Sequence, residues 1–523
     1  MRKKKQGKTV RLLKFLFIFI FAAALLVFSL HVFVDTFENE LFDIIAGRFE
    51  KSSGDRYAIT CDYADLNLFK RSIHIKNLSI NTNTAATADA VPKPGNRETI
   101  LRSDFADLRL EGISILPLIL RKSLCVDNVI LEDGKLAVSR VGGEAGKEQP
   151  LLSIPDMFMR FSGLEILPKN GLNPKIHMRI QSGEAGVKNP VFHSPDGFYT
   201  VQAKSLDFSK SLSAVSIRSF ELIPRYKPYE FSRKKGYRTS RLSLKVDQLL
   251  FRDIDFNDLF KEQAFHSASL SIQEPIFEIF RNRNMQPHPR PRTKKFPQQL
   301  LREMKLKLRI DNIDISKGSM FYTEHPKDGK RTGALFFTNI QADVKNLSNY
   351  PQMLKEKTSL LISASAKIMG SGLFRARFTF PLEEKKGASP FTFSGSLDSM
   401  NVRAFNPFLE NCAFIRINRG TLKKLYFSVW ADENKAEGEM RIFYKHLKIS
   451  MLKRGSTSGK RRVVSFLANT IIHKNNPREG KPLRIGRIYF ERETKKSFFN
   501  YLWKSLLSGI KSSIGLKKRK AVQ

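Results

Sequence analysis

Residues 305–318 read KLKLRIDNIDISKG. Leu306, Leu308 and Ile310 alternate with Lys and Arg. On a strand this period puts the apolar side chains on one face and the charges on the other, whereas a helix would scatter them around its axis. The same period recurs in Leu242, Leu244 and Val246, in Phe374, Ala376, Phe378 and Phe380, and in Ile442 and Tyr444. Ile73, Ile75, Leu78 and Ile80 follow it with one slip at Asn77, which predicts a bulge. Gly, Asn, Asp and Pro interrupt these runs at short intervals, as in antiparallel meanders. Helices do not alternate with the strands, which argues against the βαβ enzymes.

Several strands begin alike: RKSLCVDNVILEDG from Arg121, KIHMRIQSGEAG from Lys175, RLSLKVDQLLFRD from Arg241, and the opening stretch. Aligning Val126, Ile180, Val246 and Ile310 gives spacings of 54, 66 and 64 residues. The pattern suggests one hairpin-rich unit laid down several times. Irregular joints separate the units. Residues 81–98 are rich in Thr, Ala and Pro; 224–238 and 281–297 are basic and Pro-containing; 453–462 reads KRGSTSGKRR. Each is expected to be a solvated loop or linker.

The chain has 523 residues, a formal net charge of +40 and 42 Phe among its aromatics. Its 41% hydrophobic content is that of a folded protein. Three Cys (Cys61, Cys125, Cys412), far apart, exclude a disulfide scaffold and a thiolate zinc site. Collagen, coiled coil and multi-pass membrane protein are excluded as well.

Residues 15–34, FLFIFIFAAALLVFSLHVFV, form the one run apolar and long enough to cross a bilayer as a helix, with Phe15, Phe19, Leu26 and Val34 along it. Seven Lys and Arg precede it, and Asp35, Glu38, Glu40 and Asp43 follow. The positive-inside rule puts the N-terminus in the cytoplasm and the bulk across the membrane. The central position of Ala22, Ala23 and Ala24 favours an uncleaved anchor over a signal peptide. Outside the cytoplasm a basic chain meets anionic head groups or acidic polymers rather than nucleic acid.

The search for chemistry is negative. GxxxxGK[ST], GxGxxG, HExxH and GxSxG are absent, and the nine His stand singly. The acidic string at 253–258 lacks the Gly and the terminal Glu of a calcium loop. No cofactor, metal or catalytic residue is expected. The remaining signals are physical. Phe374, Phe378, Phe380 and Phe393 load one sheet face with apolar area: core if the face is closed, lipid-facing if it is an open trough. From Lys495, KKSFFNYLWKSLLSGIKSSIGLKKRK places Phe499, Leu502, Trp503, Leu506, Ile510 and Ile514 at helical spacing, with Lys517 and Lys518 in a basic tail. Such a helix fits a membrane interface or a cap on the end of the sheet.

Three stretches together, YAITCDYADLNLFKRSIHIKNLSI from Tyr57, FADLRLEGISILPLILRKSLCVDNVILEDGKLAV from Phe105 and FSGSLDSMNVRAFNPFLENCAFIRINRGTLKKLYFSV from Phe393, resemble the AsmA-like family of Gram-negative envelope proteins. The resemblance lies in pattern and order and covers most of the chain after the anchor. It implies a single-pass inner-membrane protein with a long, taco-shaped periplasmic β-groove, related to bridge-like lipid-transfer proteins and without catalytic residues. The expectation is therefore a mainly β, non-enzymatic protein: a tail and anchor (1–34), an elongated curved antiparallel groove (35–280 and 301–492) with a basic linker between (281–300), and a C-terminal amphipathic helix (493–523). Its expected partners are phospholipid or another acyl lipid, the inner membrane and envelope assembly proteins. Two rivals stand beside it: a scaffold for outer-membrane proteins that works by strand addition, and an enzyme acting on envelope glycans.

Overall fold

The computed structural model describes residues 46–516, except 48–49, 52, 68–69, 84–97, 115, 118–122, 142–147, 168–176, 257–258, 260–263, 328, 357, 384–388, 453–462 and 465–471. The proposed anchor, with Phe15, Phe19, Leu26 and Val34, and the tail residues Lys517 and Lys518 lie outside the described residues. Among the described residues no helix is long and apolar enough to cross a membrane.

The described chain is mainly β, with few helices. Its contacts divide it into two units: one of residues 1–218 and 253–264, the other of 219–252 and 265–523. The division falls at 218/219, and the basic 281–300 stretch belongs wholly to the second unit.

In the first unit, β1 (Tyr57–Thr60) and β2 (Tyr63–Asn67) pair with β3 (Ser72–Thr82), which continues into β4 (Glu98–Glu111), β5 (Leu124–Val141) and β6 (Glu148–Leu167) as an antiparallel meander. β7 (His177–Arg179), β8 (Ser182–Lys188) and β9 (Val191–His193) line up against β6. β10 (Tyr199–Gln202) pairs with β9, and β11 (Ser205–Ser209) lies between β8 and the start of β12 (Ala214–Pro224). The register aligns Ile75, Leu108, Leu131, Met159, Ala185 and Phe208 in one row. Ile75, Leu108 and Leu131 are buried; Met159, Ala185 and Phe208 are half-buried. The opposite side carries ion pairs such as Arg160 with Glu132 and Glu184, and Lys188 with Asp156. The slip at Asn77 is present, but not as a one-sided bulge: Asn77 has φ 50°, and Asn77 and Ala106 leave the ladder together between Lys76↔Asp107 and Leu78↔Phe105, so both strands change face while the register holds.

The second unit holds most of β13 (Ser240–Ile254), then β14 (Ala264–Gln273), β15 (Ile276–Asn282), β16 (Lys307–His325), β17 (Gly333–Ser348), β18 (Ser359–Ile368), β19 (Gly372–Pro381), β20 (Phe391–Leu397), β21 (Met400–Asn401), β22 (Ile415–Ala431), β23 (Lys435–Leu452), β24 (Val463–Val464) and β25 (Ile485–Glu491). Its main helices are α1 (Pro228–Lys235), α2 (Pro297–Arg302), α3 (Pro351–Lys355) and α4 (Phe498–Ser513). Proline opens α1, α2 and α3, where a missing N–H costs nothing, and Gly236 ends α1 at φ 74°. The expectation of a purely antiparallel sheet is corrected here: β15 and β16 are parallel. The reason is the connection between them, residues 283–306, which includes α2 and is long enough for a crossover. That connection is not a linker throughout either. Residues 286–295 are exposed, but Phe296 is 0% exposed and anchors α2 in the core.

Val126, Ile180, Val246 and Ile310, aligned as repeat starts, are all buried, three within strands and Ile180 immediately after β7.

Candidate functional site

From β16 to β25 the register builds apolar rows that run across the strands. One joins Ile313, Val344, Ile362, Phe378, Phe393, Val429, Gly438 and Ile488. The next joins Ile315, Ala342, Ala364, Ala376, Gly395, Phe427, Met440 and Gly486. A third joins Ala366, Phe374, Leu397, Leu425 and Ile442. Because side chains alternate along each strand, the three rows share a face. Ala342, Ala364, Ala376 and Gly395 thus form a low floor between bulkier rows. Four strands at about 4.8 Å give it a length of about 14 Å. Phe427 closes it: a Cβ on Gly395 would stand 2.6 Å from the Phe427 ring.

All four predicted Phe residues lie on this face, but they are not equally covered. Phe380 and Phe393 are 1% and 3% exposed. They are core, because other rings pack on them: Phe391 stacks on Phe380 at 5.2 Å between centroids, Phe378 and Phe391 stack on Phe393 at 5.9 Å, and Phe427 tilts against Phe393 at 5.9 Å. Over Phe380 and Phe391 sit Phe296, from the start of α2, and Phe498 and Tyr501 of α4. Arg492 lies 3.8 Å over the Phe296 ring, a cation–π contact that seals the cluster from outside. Phe374 and Phe378, with Val344, Ile362, Ala342 and Ala364, are only half-buried. The face therefore runs from a closed aromatic plug near α2 and α4 to a stretch that keeps part of its surface.

The other side of the same strands is polar. Arg375 and Arg377 point outward, and Arg375 and Lys424 both bond Asp398. The Lys424 ammonium holds the Asp398 carboxyl below its ordinary range, with Arg375 adding to this against burial.

Helix α4 settles against the sheet differently from its hydrophobic pattern. Ser497 caps it, its Oγ accepting from Asn500 N–H at 3.3 Å. The face turned inward is Tyr501, Ser505, Gly509 and Ser513, all buried, whereas Leu502, Leu506 and Ile510 pack at its flank. Phe499 and Trp503 remain 65% and 39% exposed. Small residues let the backbones approach: a Cβ on Gly486 would stand 2.4 Å from the Gly509 carbonyl oxygen. Along the free edge of β25, Arg487 and Tyr489 donate their N–H groups to Ser512 Oγ and Ser508 Oγ at 3.0 and 3.1 Å. The edge is thereby paired. The capping position is observed, and two aromatic side chains still face out of it.

The His stand singly in the sequence, but two of them have carboxylate partners in the fold. In the first unit His74 Nε2 lies 3.3 Å from Asp107 Oδ2, whose carboxylate also takes Arg109. In the second, His266 Nε2 lies 3.2 Å from Asp311 Oδ2, which also takes Arg309. The Arg109 hydrogen bond leads in holding Asp107 below its usual range. Burial pushes Asp311 up, but hydrogen bonds from Arg309 and His266 more than offset it. A carboxylate so neutralised is a poor base, and both clusters lie on pairs of neighbouring strands, where they serve as cross-strand ties. The Arg-x-Asp and Asp-x-Arg spacings were visible in the sequence; the His partners, 45 and 33 residues away, were not. Among the described residues no three His, Cys, Asp or Glu groups gather to hold a metal ion.

Compared with protein-family models and with curated proteins, the sequence matches none.

Proposed function

We propose that this chain is a non-enzymatic lipid-handling protein of the bacterial envelope, of the AsmA-like kind, anchored in the inner membrane by residues 15–34 with its bulk in the periplasm. The half-buried row Val344, Ile362 and Phe378, beside the floor of Ala342, Ala364 and Ala376, carries the reading. The β-sheet curves into an apolar groove, and this part of it shields the acyl chains of phospholipid while head groups stay in water. Each buried methylene contributes roughly 0.8 kcal/mol, so such a surface holds a chain without any specific polar contact. Selectivity is then low and set by head-group charge. The strand-addition scaffold has less support, since α4 already occupies the free edge of β25.

The test is site-specific crosslinking in cells. A photoreactive amino acid at Ile362 should yield a phospholipid adduct, and one at Arg377, on the opposite side, should not. Adducts from both positions, or from neither, would sink the proposal.

A further inference from the structure

Two basic stretches, 225–238 and 281–295, are about fifty residues apart in the chain yet meet in the fold. They hold twelve Lys and Arg against the single acidic residue Glu230. Arg238 fastens them: its N–H donates to Gln286 O at 2.7 Å, its Nε to Met285 O at 3.1 Å, and its Nη2 to Arg283 O at 3.0 Å. Tyr237 packs on His288 with centroids 4.4 Å apart. The result is one cationic surface built from α1 and the crossover loop. Like charges are crowded in it. Burial first, and then the charges of Arg283 and Arg281, push the Arg238 guanidinium below its ordinary value. Arg281 Nε is buried without a hydrogen-bond partner. Glu324 pairs with Arg283 at 3.2 Å and takes the Tyr322 hydroxyl as well. Lys227, Arg233, Arg290 and Arg292 are exposed, and among the described residues no carboxylate pairs with them. So dense a concentration of unpaired charge opposes folding unless an anion meets it.

We infer that α1 and the 283–295 loop form a docking surface for the phosphate head groups of an anionic lipid membrane. The choice of lipid rests in part on the lipid-handling reading, because the loop runs directly into Phe296 and α2, which cover the closed end of the apolar face. It also rests on the aromatics. A single-stranded nucleic acid needs free rings to stack on. Here Tyr226 carries Lys234 at 5.0 Å and Arg225 at 5.9 Å, Tyr237 is against His288, and Tyr229 is against Phe280 and His325. What remains on offer is the Lys227 ammonium and the Arg233, Arg290 and Arg292 guanidiniums, whose N–H donors suit phosphate oxygens.

The full chain, held in nanodiscs of neutral lipid, is titrated with phosphatidylglycerol and with phosphatidylcholine vesicles. Binding to the anionic vesicles should be the stronger and should weaken as salt rises. Each charge lost should cost roughly fivefold in affinity at low salt. Lys227→Gln with Arg233→Gln, and separately Arg290→Gln with Arg292→Gln, should therefore each weaken anionic binding roughly thirtyfold while the melting temperature holds or rises. If one pair matters and the other does not, the composite surface is wrong. Equal binding to both vesicle types overturns the inference. So does displacement of the vesicles by single-stranded DNA or an acidic polysaccharide at a lower concentration of negative charge. Crosslinking at Ile362 in the same variants separates the two claims. Adducts retained without docking in the parent chain sink the docking surface alone, and docking without adducts sinks the lipid groove alone.

Discussion

Ala364→Phe separates an open apolar face from a closed one. Ala364 is half-buried, between Ala342 and Ala376 on the floor of the face. In a closed core an inserted ring has nowhere to go, and overpacking costs about 1–3 kcal/mol. That lowers melting by roughly 2–4 °C per kcal/mol in a unit of this size. On an open face the ring lies over the floor and covers about one strand step, about 5 Å. An acyl chain excluded from that length loses contact for about four methylenes, about 3 kcal/mol at about 0.8 kcal/mol each, or more than a hundredfold in occupancy. The assay pairs a melting curve with quantification of phospholipid that co-purifies with the protein. The account predicts lipid strongly depleted with melting unchanged or slightly raised. Unchanged lipid and unchanged melting would refute the placement of the chain, and a large melting drop would refute the openness of the face.

Gly509→Val should destabilise the second unit by more than 1 kcal/mol, since even a Cβ there would meet Ile488 Cγ1 at 2.6 Å, whereas Trp503→Ser on the exposed side should change melting by less than about 0.5 kcal/mol; equal effects in thermal melts would contradict the orientation of α4. Cys412 is pushed up to about 12, by burial first and the Glu324 charge next, so at pH 8 its thiolate fraction is small and thiol-reactive dye should leave it unlabelled until the protein unfolds. Rapid labelling of the native protein at Cys412, located by peptide mapping, would count against that burial. Asp107 has a depressed folded-state pKa, so it stabilises above its unfolded value near about 4, and the benefit is lost as pH falls through the folded value. Asp107→Asn should therefore flatten the fall in melting temperature below about pH 4 and lower stability at neutral pH; a variant with the parental acid profile would assign the loss elsewhere.

The strands were legible because their signal is local. Phe374, Ala376, Phe378 and Phe380 alternate, and all four do face the same way. What covers a face is not local. Phe380 is covered by Phe391 and Phe498, residues 11 and 118 positions away, while Phe378, two positions along, stays half-buried. No period in the sequence distinguishes them. The inward side of α4 was hidden for a different reason: hydrophobic periodicity weights bulky residues, but close backbone approach selects Ser505, Gly509 and Ser513. The parallel β15–β16 pair was readable only from the length of its connection, and the basic 281–297 stretch that supplies it looks like a solvated loop until Phe296.

Native mass spectrometry of the chain released from membranes in mild detergent tests the central claim most directly. The account predicts populations carrying phospholipid, of mixed acyl composition, that Ala364→Phe depletes and Arg377→Gln leaves intact. A chain that flies without lipid, or whose bound lipid is indifferent to Ala364→Phe, would contradict it.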